Sequence, residues 1–302
     1  WRQHQGDDAV IAGAQPVGRE DLDLIRTEVR RLADRYGCDY WRGLEPDKYP
    51  TEFVTELTSQ GWLGSLIPEE YGGGGLSLAG ASVILEEISA SGGNPSACHA
   101  QMYVMGTLLR HGSDEQKQHY LPQVADGRKR LQAFGVTEPA AGSETTAIRT
   151  RAERDGDIWR INGQKIWTSG AQYADWMFAL VRTDFEAAKH DGISFVLLDM
   201  HQPGVTIKPI QLISGSSPFC ETFLDDAVAK REDLVGELNK GWTVGKRLLQ
   251  FERSGIGGLG GSASDKKKKK PVKKVNEFAK LAKEYIGESA GKIADNGARE
   301  TI

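Results

Sequence analysis

The hydrophobic periodicity of this 302-residue chain changes twice along its length. Before about residue 130, apolar residues recur every three or four positions, a spacing that lines them up on one face of a helix. One such stripe consists of Leu22, Ile25, Val29 and Leu32. Short strand-like runs then follow, and helical spacing returns after Gly241. This order of α, β and α lacks the strand–helix alternation of a doubly wound sheet and predicts an α+β multidomain protein.

The same pattern divides the chain into four segments. Residues 1–19 are expected to form an irregular N-terminal arm, and residues 20–130 an α-helical domain. Residues 131–240 are expected to form a middle antiparallel β-barrel or sandwich, because several short strands follow one another at turn-separated intervals. Residues 241–302 are expected to begin a helical-bundle domain that this chain leaves incomplete.

The middle segment contains a strong turn signal. Asn162-Gly163 suits a tight type I′ turn, so we expect a hairpin between the runs 158–161 and 164–167. Three further strand-like runs follow at 177–182, 193–200 and 205–212.

Composition argues against several functional classes. The net charge of −4 gives no reason to expect a nucleic-acid partner, and a solvated loop is the default interpretation of the lysine run Lys266–Lys270. No apolar run approaches the ~20 residues of a membrane helix, so we expect no membrane insertion. The histidines lack metal-ligand spacing, which predicts no metal site. Cys38, Cys98 and Cys220 are odd in number and widely spaced, as expected for reduced thiols in the cytoplasm or a mitochondrial matrix.

A glycine pattern near the second change of periodicity is misleading. Gly255, Gly257 and Gly260 match the spacing of the dinucleotide fingerprint. That fingerprint works only after a buried strand and at the start of a helix, where backbone amides face a pyrophosphate. Here it follows a helical segment, so we reject a Rossmann site.

Two segments of the middle domain combine residue types suited to a flavin. The first, Phe134–Ala147, contains Gly142-Ser143, an amide-rich turn that favours an anion such as a pyrophosphate. The second, Lys165–Gly170, places Trp167 beside two hydroxyl residues. A flat aromatic wall with directed hydroxyls suits an isoalloxazine ring. On these residues alone, the alternative remains that Trp167 belongs to the core and the hydroxyl residues form turns.

Three motifs in order resemble the acyl-CoA dehydrogenase family. Thr137-Glu138-Pro139 with Gly142-Ser143, followed by Asn162-Gly163-x-Lys165-x-Trp167, resembles the flavin-binding signature of that family. The motif Pro68-Glu69-Glu70-Tyr71-Gly72-Gly73 looks like one of its N-terminal domain, and the stretch from Leu234 to Trp242 like its exit into the C-terminal helices. The resemblance extends from about Glu20 to Arg253.

The resemblance implies FAD as cofactor. By matched position, the flavin, its dinucleotide part or the thioester end of the substrate would contact Phe134, Val136, Thr137, Gly142 and Ser143. The flavin ring would be lined by Trp167, Thr168 and Ser169. Ser169 stands where the family usually has a threonine that bonds flavin N5, and Thr168 where it usually has an aliphatic residue.

The family's reaction needs a carboxylate base, and here two positions stay open. The reaction removes a proton from Cα of an acyl-CoA thioester while a hydride leaves Cβ for flavin N5. Most members carry the glutamate base late in the C-terminal domain, which would lie beyond Ile302. A minority carry it just before an arginine on the first long helix of that domain, where this chain has Glu252 and Arg253. The alternative to a catalytic role is that Glu252 and Arg253 form a solvated ion pair on the helix surface.

The resemblance also implies partners and competing functions. Expected partners are an acyl-CoA substrate, bound in part by Ser143 and Arg253, and an electron-transfer flavoprotein. A homo-oligomer, dimeric or tetrameric, is expected, with a hetero-oligomer as an alternative. Competing functions on the same scaffold are a flavin-dependent oxidase or monooxygenase, and a non-catalytic partner subunit of a heteromeric dehydrogenase.

Overall fold

The computed structural model describes residues 17–46, 48–257, 277–289 and 292–295. The chain divides into two compact units, Trp1–Gly260 and Gly261–Ile302. The helices of the first unit are α1 (Arg19–Ala33), α2 (Cys38–Leu44), α3 (Thr51–Ser59), α4 (Leu78–Ala90), α5 (Ser96–His111), α6 (Asp114–Ala125) and α7 (Gly241–Gly257). Its strands are β1 (Leu131–Gly135), β2 (Arg151–Asp155), β3 (Ile158–Ser169), β4 (Trp176–Arg182), β5 (Ile193–Asp199), β6 (Val205–Ile210) and β7 (Phe219–Lys230). The second unit contains α8 (Glu277–Ile286) and a two-stranded hairpin of β8 (Glu288–Ser289) and β9 (Lys292–Ile293).

The helical N-terminal region is confirmed, and its amphipathic stripes face inward. Ile25, Val29 and Leu32 of α1 are all buried. Helix α1 is tied to α4 by Glu87, whose carboxylate accepts hydrogen bonds from Arg26 and Arg30 at 2.6–2.9 Å. These contacts fix the first helix on the helical core through both apolar packing and ion pairs.

The middle region folds into a seven-stranded sheet that is mixed, whereas the sequence predicted an antiparallel one. Strand β3 pairs antiparallel with β2 and β7, and β6 and β5 pair antiparallel with β7 and β4. Strand β1, however, pairs parallel with β4, and β2 touches β4 in parallel at one residue pair. Periodicity shows which residues form strands but carries no information on the direction of a partner 40 or more residues away, so this pairing was missed.

The predicted hairpin at Asn162-Gly163 is wrong. Both residues lie inside the continuous strand β3, and the pairing with β7 shifts its register between Ile161 and Gly163. A Cβ atom on Gly163 would lie 2.6 Å from the Thr150 hydroxyl oxygen, so glycine permits a close approach of two chain segments. The tight turn falls earlier, at Gly156-Asp157 between β2 and β3, with Gly156 at φ 60°.

The two faces of the sheet serve different cores. Phe178 and Leu180 of β4 belong to the cluster that contains the helical core, together with Val244 and Leu248 of α7. Their neighbours on β4 belong to a second cluster on the other face, which comprises buried residues such as Met177, Ala179 and Val181. Because side chains alternate along a strand, one strand joins the helices to the interior of the curled sheet.

Candidate cofactor site

The two sequence segments predicted to bind the flavin lie side by side. The backbone N–H of Ile166 donates to the carbonyl oxygen of Thr137 at 2.9 Å, which joins the loop after β1 to β3. Next to this bond, one residue later in the loop and one residue earlier on β3, the Lys165 ammonium nitrogen lies 2.8 Å from Oε1 of Glu138. A backbone bond and a side-chain bond thus cross-link the two segments at adjacent points, between residues 29 and 27 positions apart in the sequence.

Glu138 is held by donors on several sides. Its carboxylate accepts hydrogen bonds from the backbone N–H of Arg149 at 2.6 Å and from the N–H and hydroxyl of Thr150 at 3.0 and 2.6 Å. Burial alone would raise the pKa of Glu138. The Lys165 ammonium and these hydrogen bonds stabilise the carboxylate more strongly, so the pKa of Glu138 lies below its ordinary value. Burial lowers the pKa of Lys165, whose side chain is 0% exposed.

Trp167 sits at a bulge in β3. Lys165 pairs with Thr222 of β7 and Thr168 pairs with Cys220, so β3 has one residue more than β7 over this stretch. Trp167 has a φ of 61°, a left-handed conformation that is uncommon for a bulky residue, and its side chain is 51% exposed. Its ring lies nearly perpendicular to that of Phe219, at 6.0 Å between centroids. An exposed indole in a strained backbone conformation is typical of a functional position and contradicts the alternative that Trp167 is a core residue.

The two hydroxyl residues after Trp167 differ in exposure. Ser169 is exposed and its hydroxyl is free to face a ligand. Thr168 is only 1% exposed, and within the described part of the chain its hydroxyl oxygen has no hydrogen-bond partner. The predicted lining role therefore suits the side chain of Ser169, whereas the side chain of Thr168 points into the domain.

The loop after β1 has an exposed turn. Backbone hydrogen bonds between Glu138 and Ala141, at 3.0 and 3.3 Å, close a tight turn. Gly142 and Ser143 follow it and are exposed, and a Cβ atom on Gly142 would have no atom within 4 Å. This open, amide-rich loop fits the phosphate part of a dinucleotide.

The remaining predicted contacts lie at the edge of this site. Thr137 and Phe134 are half-buried, and the Phe134 ring packs on Phe195 at 5.9 Å. Val136 is 7% exposed. The residues available to a ligand (Thr137, Gly142, Ser143, Trp167 and Ser169) combine hydroxyls, an exposed glycine-containing loop and an aromatic face, which fits the hydrogen-bonding and stacking needs of FAD.

The two residues predicted for substrate chemistry lie on α7. The helix runs through Glu252 and Arg253, but their side chains lie outside the described part of the structure. The lysine run Lys266–Lys270 also lies outside the described residues. Within the described ranges no group of three or more His, Cys, Asp or Glu could hold a metal ion, and no helix there is long and apolar enough to cross a membrane.

Sequence reasoning missed the roles of Glu138 and Lys165, although both lie inside the motifs that it used. The available signal was a lysine at an inward position of a strand, after the inward apolar residues Trp159 and Ile161. A charge at such a position requires a buried partner.

Sequence models of two domains match this chain in the expected order. The acyl-CoA dehydrogenase N-terminal domain matches residues 19–128, and the acyl-CoA dehydrogenase middle domain matches residues 133–227. Together with the helical domain and the curled sheet, these matches define the class of protein: the chain belongs to the acyl-CoA dehydrogenase family.

Individual relatives and solved structures are similar over most of this chain. The acyl-CoA dehydrogenase IpdE1 of Mycobacterium tuberculosis is 40% identical over 205 residues, which cover 68% of this chain and 51% of that protein. The solved structure named the Tcur3481-Tcur3483 steroid ACAD is 35% identical, with a TM-score of 0.70 over 80% of this chain and 64% of that one. The ChsE4-ChsE5 complex from Mycobacterium tuberculosis is 31% identical, with a TM-score of 0.66 over 78% and 61%. The chain thus spans about half the length of the curated relatives it matches.

Proposed function

We propose that the protein catalyses the FAD-dependent α,β-dehydrogenation of an acyl-CoA thioester. The observation that carries this proposal is the exposed indole of Trp167, held at a φ of 61° beside Thr137 by the bond from Ile166 N–H. A protein stores such strain where a ligand uses the conformation.

Each exposed residue of the site receives a role under this proposal. Trp167 stacks on the isoalloxazine, and the hydroxyls of Thr137 and Ser169 bond its polar edge. Gly142 and Ser143 face the pyrophosphate, and Ser143 also lies at the thioester end of the substrate. Phe134, Val136 and Thr168 support the ring from the domain side. FAD, when bound, supplies the acceptor for the hydride that leaves Cβ.

Glu252 is proposed as the base and Arg253 as a substrate contact. The α-proton is weakly acidic, so the carboxylate must receive it in a site closed to water. Donors on the thioester carbonyl oxygen must stabilise the enolate that develops. Both residues lie on α7, the helix that packs Val244 and Leu248 against the sheet.

The proposed partners follow the same assignment. We propose an electron-transfer flavoprotein as electron acceptor and an oligomer of two or four chains. A second candidate, a non-catalytic subunit of a heteromeric dehydrogenase, is favoured by two similar structures, the Tcur3481-Tcur3483 steroid ACAD and the ChsE4-ChsE5 complex, whose names each pair two components. The third candidate, an oxidase or monooxygenase, would be distinguished from a dehydrogenase by oxygen consumption with peroxide formation.

The decisive experiment compares flavin binding with flavin reduction. Trp167→Ala with Ser169→Ala should lose bound FAD or shift its visible spectrum, and unchanged affinity and spectrum would show that the site is misplaced.

Glu252→Gln keeps the shape of the side chain, so it should bind acyl-CoA but slow anaerobic bleaching of the flavin by ~10²–10⁴. Reduction at a near-normal rate would exclude Glu252 as base. A wild-type protein that binds FAD but never bleaches would favour the non-catalytic subunit.

A further inference from the structure

The Lys165–Glu138 pair lies directly behind the exposed residues of the cofactor site. Lys165 is two residues before Trp167, and Glu138 immediately follows Thr137. Lys165 is 0% exposed and the Glu138 side chain 5%, so neither can contact a ligand on the surface. The Lys165 ammonium also donates to the carbonyl oxygen of Val136 at 3.4 Å.

The pair borders the bulge that exposes Trp167. Lys165 is the last residue of β3 in register with β7 before the bulge, and Thr168 is the first after it. Between them, Ile166 donates its N–H to Thr137 and not to β7. The bulge is therefore fixed on one side by the buried ammonium and in its middle by the loop that Glu138 anchors.

We propose that Lys165 and Glu138 are positioning residues that select the backbone conformation presenting the Trp167 indole and the Thr137 hydroxyl to the cofactor. This inference rests on the proposed function for its biological meaning. Lys165 and Glu138 would act on the cofactor indirectly, through the positions of Trp167 and Thr137. A buried charge pair suits such a task, because each partner is costly to bury alone and a displaced register would separate them.

The test removes both charges while keeping side-chain shape, with the 302-residue chain used throughout. Lys165→Met with Glu138→Gln leaves no buried charge unpaired. The matched control is Arg160→Met with Asp226→Asn, because that charge pair also starts from β3 and joins it to β7 at 2.8 Å, but is solvent-exposed. Trp167 is followed by ¹⁹F NMR of 5-fluorotryptophan, its resonance assigned through Trp167→Phe. Trp159 and Trp176 serve as internal references on the same sheet.

The positioning role predicts that the resonance of Trp167 moves or broadens in the Lys165–Glu138 double variant, while those of Trp159 and Trp176 stay in place. The control should leave all three unchanged. In the otherwise wild-type protein, the double substitution should lower FAD affinity at least about ten-fold. In a protein that already carries Trp167→Ala, it should lower FAD affinity less than about three-fold, because both changes then remove the same contact of Trp167 with FAD. An unchanged Trp167 resonance, or equal losses in both backgrounds, overturns the inference.

The ¹⁹F measurement needs no flavin, so it separates the two proposals. If the protein binds FAD but acyl-CoA never reduces it, the proposed function fails, and the Trp167 resonance still decides the positioning role. If the double variant does not fold, Thr150→Val provides the milder test, since it removes only the hydroxyl bond to Glu138, of 2.6 Å. A smaller displacement of the same resonance is then expected, and none would contradict the inference.

Discussion

The ammonium nitrogen of Lys165 lies 2.8 Å from Oε1 of Glu138, and both side chains are buried between the loop after β1 and strand β3. The pair brings together two sequence motifs that are also joined by the backbone bond from Ile166 N–H to Thr137. Its energetic consequences can be measured separately from any cofactor.

Removing only the ammonium should destabilise the fold more than removing both charges. Lys165→Met leaves the Glu138 carboxylate buried without its cation, and breaking a buried pair in this way typically costs ~3–5 kcal/mol. Lys165→Met with Glu138→Gln should recover most of that loss in urea-induced unfolding. A double variant less stable than the single one would contradict the pairing.

At position 167, a glycine substitution should leave the fold more stable than an alanine substitution. Because Trp167 has a φ of 61°, Trp167→Gly relieves a strain of about 1 kcal/mol that Trp167→Ala retains. The free energy of unfolding should therefore be higher for the glycine variant. At Ser169, which is not among the residues of positive φ, alanine should be the more stable of the two. If the alanine variant is the more stable one at position 167 as well as at position 169, the backbone at Trp167 is not strained.

Two glycines of the site region should respond in opposite ways to a methyl group. At Gly163 a Cβ atom would lie 2.7 Å from the Cα atom of Thr150, so Gly163→Ala should cost ~1–3 kcal/mol. At Gly142 nothing lies within 4 Å, so Gly142→Ala should change stability by less than ~0.5 kcal/mol. If Gly142 lies against a pyrophosphate, Gly142→Val should still weaken FAD binding, as measured by fluorescence titration. Wild-type FAD affinity in Gly142→Val would remove Gly142 from the site.

The joint between α1 and α4 should weaken in acid. Burial opposes the charge of Glu87, but hydrogen bonds from Arg30 and Arg26 and their charges outweigh it, so the pKa of Glu87 lies below its ordinary value. The unfolded chain therefore binds the proton more readily, and the stability contributed by this carboxylate is lost as the pH falls from the ordinary glutamate pKa through the lower folded-state pKa. Urea titrations between neutral pH and that range should show a shallower acid loss in Glu87→Gln. Parallel curves for both proteins would exclude the linkage.

The helical domain was predictable because each helix carries its own signal. The stripe of α1 and the capping box of α6, in which Ser113 and Gln116 bond each other's backbone N–H at 3.2 and 3.0 Å, both arise within a few residues. The sheet was less predictable. Strand β7 contains Glu221, Asp225 and Asp226, and was missed as a strand although it pairs with both β3 and β6.

By itself, the sequence determined the order of helical and β domains, the family resemblance and the set of residues that could face a flavin. These depend on local periodicity and on short motifs, which the chain carries in contiguous residues. Only the tertiary structure decided that β1 pairs parallel with β4, that Gly163 serves a close approach and that Thr168 turns inward beside the exposed Trp167. It also decided that Lys165 and Glu138 are partners. The physical reason is that pairing direction, burial and charge compensation depend on residues far apart in sequence, whose contacts exist only once the chain has folded.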